Sequence, residues 1–255
     1  VQDYIDSSYS LIRTRQLQSE LVDQYRTDIA KYAGKRAFAV RSIFDRLPLE
    51  LEGENHRFIL SSLREGARLD EYVEDFLWLT NAGVGLNVSR ATEARSPLLR
   101  TESASFFKLY ESDTGMLVSR FPQSTARAIY LDQKSVNLGG VFENAVAQEL
   151  AALGIPAWYY FTTAEGEVDF LVDGKGGRVV PIEVKSGVKV RSHAALDNLL
   201  AKPGLKIPEA IVLSRENISQ EGKVTYLPIY MTFCLGELVE READAGDFRF
   251  APVAL

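Results

Sequence analysis

Apolar residues return every three or four positions through the first 33 residues, at Ile5, Tyr9 and Ile12 and again at Leu17, Leu21, Tyr25 and Ile29, with no Gly or Pro between them. That spacing predicts one or two amphipathic helices. Three shorter helices are expected at 41–51, 56–63 and 70–81, the last with Tyr72, Val73, Phe76, Leu77 and Leu79 as its buried face and Gly83 as its C-cap. Short alternating runs over 84–99, with a charged middle and Pro97, predict a β-hairpin. Helices followed by a hairpin give a helical, winged-helix-like domain over 1–105.

The pattern changes at Phe106. FFKLYESDTGML reads as a strand ending in an Asp-Thr-Gly turn, and Gly139-Gly140 opens a helix with Val141, Phe142, Ala145, Val146, Leu150 and Leu153 on one face, closed by Gly154. Strands follow at 158–161, 167–172 and 178–184, with a turn at 173–177 between the last two. A helix at 192–200 and a strand at 210–213 complete the order αβββαβ. The fold class is α/β, a mixed sheet flanked by helices over 106–240, followed by a polar tail over 241–255.

Composition narrows the setting. The chain has 255 residues, 46% of them apolar, which is enough for two modest cores. Cys234 has no second cysteine to pair with, and together with the lack of a leader or lipidation motif it suggests a reducing, cytoplasmic environment. The longest apolar run, 226–239, is broken by Pro228 and Glu237 and falls short of the ~20 residues of a membrane span. The first methionine is Met116, so the chain is expected to begin partway through a longer reading frame.

Charge bears on partners. A net charge of −6 disfavours a strong nucleic-acid binder, because phosphates are met by an excess of Lys and Arg. A local patch of Lys185, Lys189 and Arg191 with His193 is the place for any such contact, with Lys189 and Arg191 as the candidate nucleic-acid-binding residues. On the winged-helix reading, 70–81 is the recognition helix and Arg90 and Arg95 lie on the wing. Its four acids, Asp70, Glu71, Glu74 and Asp75, would repel a phosphate backbone, which makes a packing or oligomerisation module the better reading.

The candidate chemistry lies between Asp169 and Lys185. Strand alternation puts Glu183 and Lys185 on one face and Ile182 and Val184 on the other. In the even hairpin register Asp169 falls opposite Glu183, and Phe170 and Val172 join the buried set. Glu143, at the start of the preceding helix, is placed to reach the same point. Each acid has a plain structural alternative, such as a helix N-terminus for Glu143 or a turn contact for Asp169. Burying them together without a cation would be costly. His56 and His193 lack metal-ligand spacing and are expected in surface or capping roles.

Phe142-Glu143-Asn144, Glu167-Val168-Asp169-Phe170 and Pro181-Ile182-Glu183-Val184-Lys185 resemble the core of PD-(D/E)XK nucleases, the fold of restriction endonucleases and Holliday-junction resolvases. With YRTDIAKYA from Tyr25, KLYESDTGML from Lys108 and LPIY from Leu227, the chain is similar to the uncharacterised C-terminal domain that follows a P-loop module in prokaryotic AAA+ ATPases. The resemblance implies phosphodiester hydrolysis, with Asp169 and Glu183 as metal ligands, Glu143 as a third ligand directly or through water, and Lys185 orienting the nucleophilic water or stabilising the pentavalent phosphate. It implies Mg²⁺ or Mn²⁺ as cofactor, DNA as a candidate substrate and an upstream ATPase module, while a homo-oligomer is the expectation that goes with the packing or oligomerisation reading of the helical domain. Val168 stands where the family has proline. No GxxxxGK[ST] is present, so no ATP site is expected in this chain. The alternative is a catalytically silent nuclease fold serving as a binding or regulatory platform.

Overall fold

The computed structural model describes residues 2–53, 56, 58–131, 133, 137–205 and 207–237; the expected tail over 241–255 lies outside them. The chain opens with α1 (Gln2–Asp6), α2 (Leu11–Tyr32), α3 (Ala37–Glu52) and α4 (Val73–Asn81). The β1 (Gly85–Ala91) and β2 (Glu102–Glu111) hairpin follows, then α5 (Thr114–Ser119), α6 (Gln123–Tyr130) and α7 (Gly139–Ala152). The remainder is β3 (Trp158–Thr162), β4 (Gly166–Gly174), β5 (Arg178–Val184), α8 (Ala194–Ala201), β6 (Ala210–Ser214), β7 (Ser219–Glu221), β8 (Val224–Pro228) and a 3-10 segment at Ile229–Glu237.

Among the described residues eight strands form one mixed sheet in the order β2-β1-β3-β4-β5-β6-β8-β7. Strands β3, β4 and β5 make an antiparallel meander, and β6 joins β5 in parallel after the α8 crossover. One face carries Phe170, Val172, Val180 and Ile182 against α2, α3, α4, α5 and α7, through residues such as Val22, Phe44, Phe76, Leu117 and Val146. The other carries Leu171, Val179 and Val212 against Leu196 and Leu199 of α8. Helices therefore cover both faces, the arrangement that lets apolar strands such as β6 be buried along their whole length.

The helices come first as expected, but the hairpin expected within 84–99 does not form there: that stretch holds one strand, β1, whose antiparallel partner is β2, which contains the strand expected from Phe106. β1 pairs with β2 on one side and in parallel with β3 on the other, so it is part of the common sheet. The expected boundary at 105/106 falls inside β2, and a single apolar cluster takes residues from both sides of it. Of the two acids in helix α4, Asp75 serves the fold, buried and paired with Arg36.

Three local expectations change for visible reasons. The helix expected at 56–63 is reduced to a 3-10 turn at Leu60–Ser62. Glu50 takes the Ile59 N–H at 2.9 Å and the Ser62 hydroxyl at 2.6 Å, which holds this segment against α3 instead of in its own helix. The Asp-Thr-Gly turn is instead a helix start, with Asp113 accepting from the Met116 N–H at 2.7 Å as N-cap of α5. Strands β7 and β8 extend the sheet beyond the αβββαβ order, and three residues of β7 are too few for periodicity to show.

Candidate metal centre

The hairpin that carries the candidate residues is fixed by its turn. Gly176 and Gly177 both have φ +69, a left-handed conformation that glycine adopts without penalty. The register then runs from Gly174↔Arg178 to Phe170↔Ile182, and one step further places Asp169 across from Glu183. This is the even register expected from the sequence.

On the other edge of β4 the pairing slips between Trp158↔Leu171 and Tyr160↔Val168, so Asp169 and Phe170 together face one residue of β3. This bulge breaks strict alternation. Val168 packs with the α8 face, whereas Phe170, two residues on, packs with the opposite face. A bulge beside a buried carboxylate is the usual device for re-aiming a side chain, and the Val184 N–H donates to Oδ2 of Asp169 at 2.7 Å.

Glu183 and Lys185 follow on β5 and just beyond it. Lys185 Nζ lies 2.7 Å from Glu183 Oε1, and with 27% of its side chain exposed it is the member of the group that reaches solvent. Glu183 Oε2 is buried with no hydrogen-bond partner among the described residues. A buried carboxylate oxygen left unmatched costs free energy that a bound cation would recover.

Glu143 is differently placed. His56 Nδ1 lies 2.6 Å from its Oε1, while Lys108 Nζ at 3.1 Å and the Tyr110 hydroxyl at 2.9 Å both donate to Oε2. Lys108 also meets Glu167 Oε1 at 2.7 Å. Both oxygens of Glu143 are therefore engaged by the protein itself.

The titration behaviour follows from this division. Burial pushes the Glu143 carboxyl up, but Lys108 and His56 outweigh it and hold the group at about 2. Burial lifts Asp169 well above the ordinary range, and the negative charges of Glu143 and Glu183 lift it further. Burial likewise raises Glu183, against the opposing pull of Lys185. Burial lowers Lys185, but Glu183, Asp169 and Glu143 outweigh it and the ammonium is favoured. The firmly held negative charge of the site is thus on Glu143, where Lys108 and His56 match it, while Asp169 and Glu183 are the acids whose ionised forms the metal-free protein disfavours.

This has a consequence for stability. A folded-state pKa raised above the ordinary Asp value of 3.8 means that the metal-free protein keeps a stabilising proton at low pH and loses that contribution as pH rises through the folded value. Asp169→Asn should therefore raise the Tm of the metal-free protein at neutral pH, by about 2–4 °C for each kcal/mol gained. The gain should shrink toward pH 4. Thermal melts in EDTA at several pH values check this, and a Tm deficit for Asp169→Asn at neutral pH would contradict it.

The structure thus brings Asp169, Glu183 and Lys185 together, with Glu143 close enough to act on them electrostatically but bonded elsewhere. Among the described residues, no group of three or more His, Cys, Asp and Glu side chains is arranged to hold a metal; what is present is a carboxylate pair. Of the two nucleic-acid candidates, Lys189 is exposed. Arg191 stacks 3.6 Å from the Tyr226 ring centroid and pairs with Glu216 at 3.2 Å and Glu221 at 3.0 Å.

Both histidines depart from the expected surface roles. His56 is buried on Glu143, and His193 is buried with Nε2 2.8 Å from the Tyr226 hydroxyl. His193 precedes α8 at its N-cap position but makes no side-chain capping bond. Sequence reasoning also passed over Lys108, Tyr110 and Glu167. Lys108 and Tyr110 carried a signal, two polar groups at i and i+2 on one face of an apolar strand. His56 carried none, since it lies in a loop and reaches Glu143 through a backbone φ of 48°.

Compared with known families, residues 138–231 match the one described as Domain of unknown function (DUF4143), and residues 5–126 match Domain of unknown function (DUF8612). Neither the curated proteins nor the solved structures contain a match. Glu143, Glu167, Asp169, Glu183 and Lys185 fall within the first span, whereas His56, Lys108 and Tyr110 fall within the second. The site is assembled from both.

Proposed function

We propose that this chain carries a metal-dependent phosphodiester-cleaving domain of the PD-(D/E)XK type and forms the C-terminal part of an AAA+ type ATPase. The observation that carries the reading is the pair of buried acids, Asp169 and Glu183, whose charge the protein leaves unmatched at Glu183 Oε2. The order of α7, the β3-β4-β5 meander, α8 and parallel β6 is the αβββαβ order of that fold and supports it.

The donor set fits a hard divalent cation. Mg²⁺ is typically held by one or two carboxylates and completes its shell with water and substrate phosphate, so two acids suffice. Bound there, Mg²⁺ or Mn²⁺ would supply Lewis-acid stabilisation of phosphate charge and a more acidic water. Asp169 and Glu183 would hold the ion. Lys185, tethered by Glu183 and partly exposed, would orient the attacking water or steady charge on the phosphate. The bond to the Val184 N–H fixes the Asp169 carboxylate before any ligand arrives. Lys189 would meet the nucleic-acid backbone, with DNA as the substrate in keeping with the fold.

One observation favours a second reading, a nuclease fold retained as a binding or regulatory platform. Glu143, a ligand in the catalytic version, is fully satisfied by His56, Lys108 and Tyr110. Titration calorimetry with Mn²⁺ separates the two. The catalytic reading predicts binding that Glu183→Gln weakens by at least ~10-fold, the loss of one charged contact worth about 1.5 kcal/mol or more. Absence of binding at millimolar Mn²⁺ would leave the platform reading in possession.

A further inference from the structure

Lys108 is the least expected charge in the molecule. Its side chain is 0% exposed, deep between β2 and α7, yet it carries an ammonium group. A lysine is almost never fully buried unless paired, because desolvating the charge costs several kcal/mol. Here it lies 3.1 Å from Glu143 Oε2 and 2.7 Å from Glu167 Oε1, with the Tyr159 ring centroid 5.5 Å away. Two carboxylates converging on one cation is the arrangement a divalent metal would otherwise receive. Asp169 adds its field to the same ammonium.

We propose that Lys108 is a built-in cation filling the position between Glu143 and Glu167 that a second metal ion would need, so that the site accepts a single divalent ion, on Asp169 and Glu183. The inference rests on the metal-dependent reading above for its second half only. The four acids gathered here divide into two pairs. Glu143 and Glu167 are served by an ammonium that cannot leave. Asp169 and Glu183 are bonded by no buried ammonium: the partly exposed Lys185 pairs with Glu183, Lys108 acts on Asp169 through its field, and Glu183 Oε2 has no hydrogen-bond partner among the described residues. A lysine offers three donors and no coordination chemistry, so its pair of acids is held in place and withdrawn from metal binding. Lys108 is accordingly a positioning residue. It fixes Glu143 and sets the number of ions through charge.

The test compares wild type, Lys108→Ala and the double variant Lys108→Ala/Glu143→Gln as full chains, by Mn²⁺ stoichiometry and by thermal melts in EDTA and in Mn²⁺. Alanine removes the cation and leaves space for a hydrated ion. The expected result is one Mn²⁺ in wild type and one more in Lys108→Ala, whose Tm rises by about 5–10 °C more than that of wild type at Mn²⁺ near 100 times the dissociation constant. The double variant, with one acid of the pair neutralised, should fall back to the wild-type count. If Lys108→Ala folds in Mn²⁺ but not in EDTA, the result is the same. Two ions in wild type would overturn the proposal, as would Lys108→Ala that gains no ion or fails to fold in Mn²⁺ while the double variant folds. No ion in wild type with one gained in Lys108→Ala would sink the Asp169–Glu183 reading and leave the role of Lys108 standing.

Discussion

DNA incubated with the wild-type chain and Mn²⁺ or Mg²⁺ is expected to be cut, and the same DNA incubated with Asp169→Ala is expected to survive, with a rate lower by ~10³-fold or more. One group aimed at developing charge is worth about 10²–10³ in rate. On the metal-dependent reading Asp169 does more than that, because it would also hold the ion, its Oδ2 already fixed by the Val184 N–H. Lys185→Ala should lose less, about 10²–10³, since the acid pair persists and only the charge near the phosphate is gone. The ranking separates catalysis from contamination by another nuclease, which neither substitution would touch. A gel assay with both variants suffices. Equal cleavage by all three proteins would remove the catalytic reading.

The largest effect on folding is expected at Gly140→Ala. A Cβ on Gly140 would sit 1.9 Å from the Leu51 carbonyl oxygen and 2.8 Å from its carbon, both backbone atoms of α3. No rotamer change relieves a clash with backbone, so α3 and α7 must move apart. The two helices share a core of Ile43, Phe44, Leu47, Leu51, Val146, Ala147 and Leu150, and opening it should cost more than about 3 kcal/mol. For a chain this long that corresponds to a Tm lower by roughly 6–12 °C. Gly187→Ala is the control, since a Cβ there meets nothing within 4 Å. The site should suffer too, because His56 and Glu143 follow α3 and sit on α7 respectively. A Gly140→Ala protein melting with wild type would contradict the packing described.

How much of this was legible in the sequence depends on how local the cause was. The β4–β5 hairpin was readable because its glycine turn and its alternating apolar set agree on one register, and the acids fell where that register put them. The long helices were readable for the same reason, from periodicity over many residues. The bulge at Asp169 and Phe170 was not, since it shows only in the pairing with β3, a partner set by tertiary structure. The role of Lys108 was harder to read despite its i, i+2 pairing with Tyr110, because its neutralising partners, Glu143 and Glu167, lie 35 residues and more along the chain. The wing expected within 84–99 is not there because β1 finds its partners outside that window, in β2 and β3, and local alternation cannot show which distant strand a strand will pair with.

The central claim is that Asp169 and Glu183 share one divalent ion beside Lys185. Anomalous diffraction from crystals soaked in Mn²⁺ tests it most directly. The account predicts a single strong peak within coordinating distance of both carboxylates and none between Glu143 and Glu167. A peak between Glu143 and Glu167, or no peak at Asp169 and Glu183 in crystals that bind Mn²⁺ elsewhere, would contradict it.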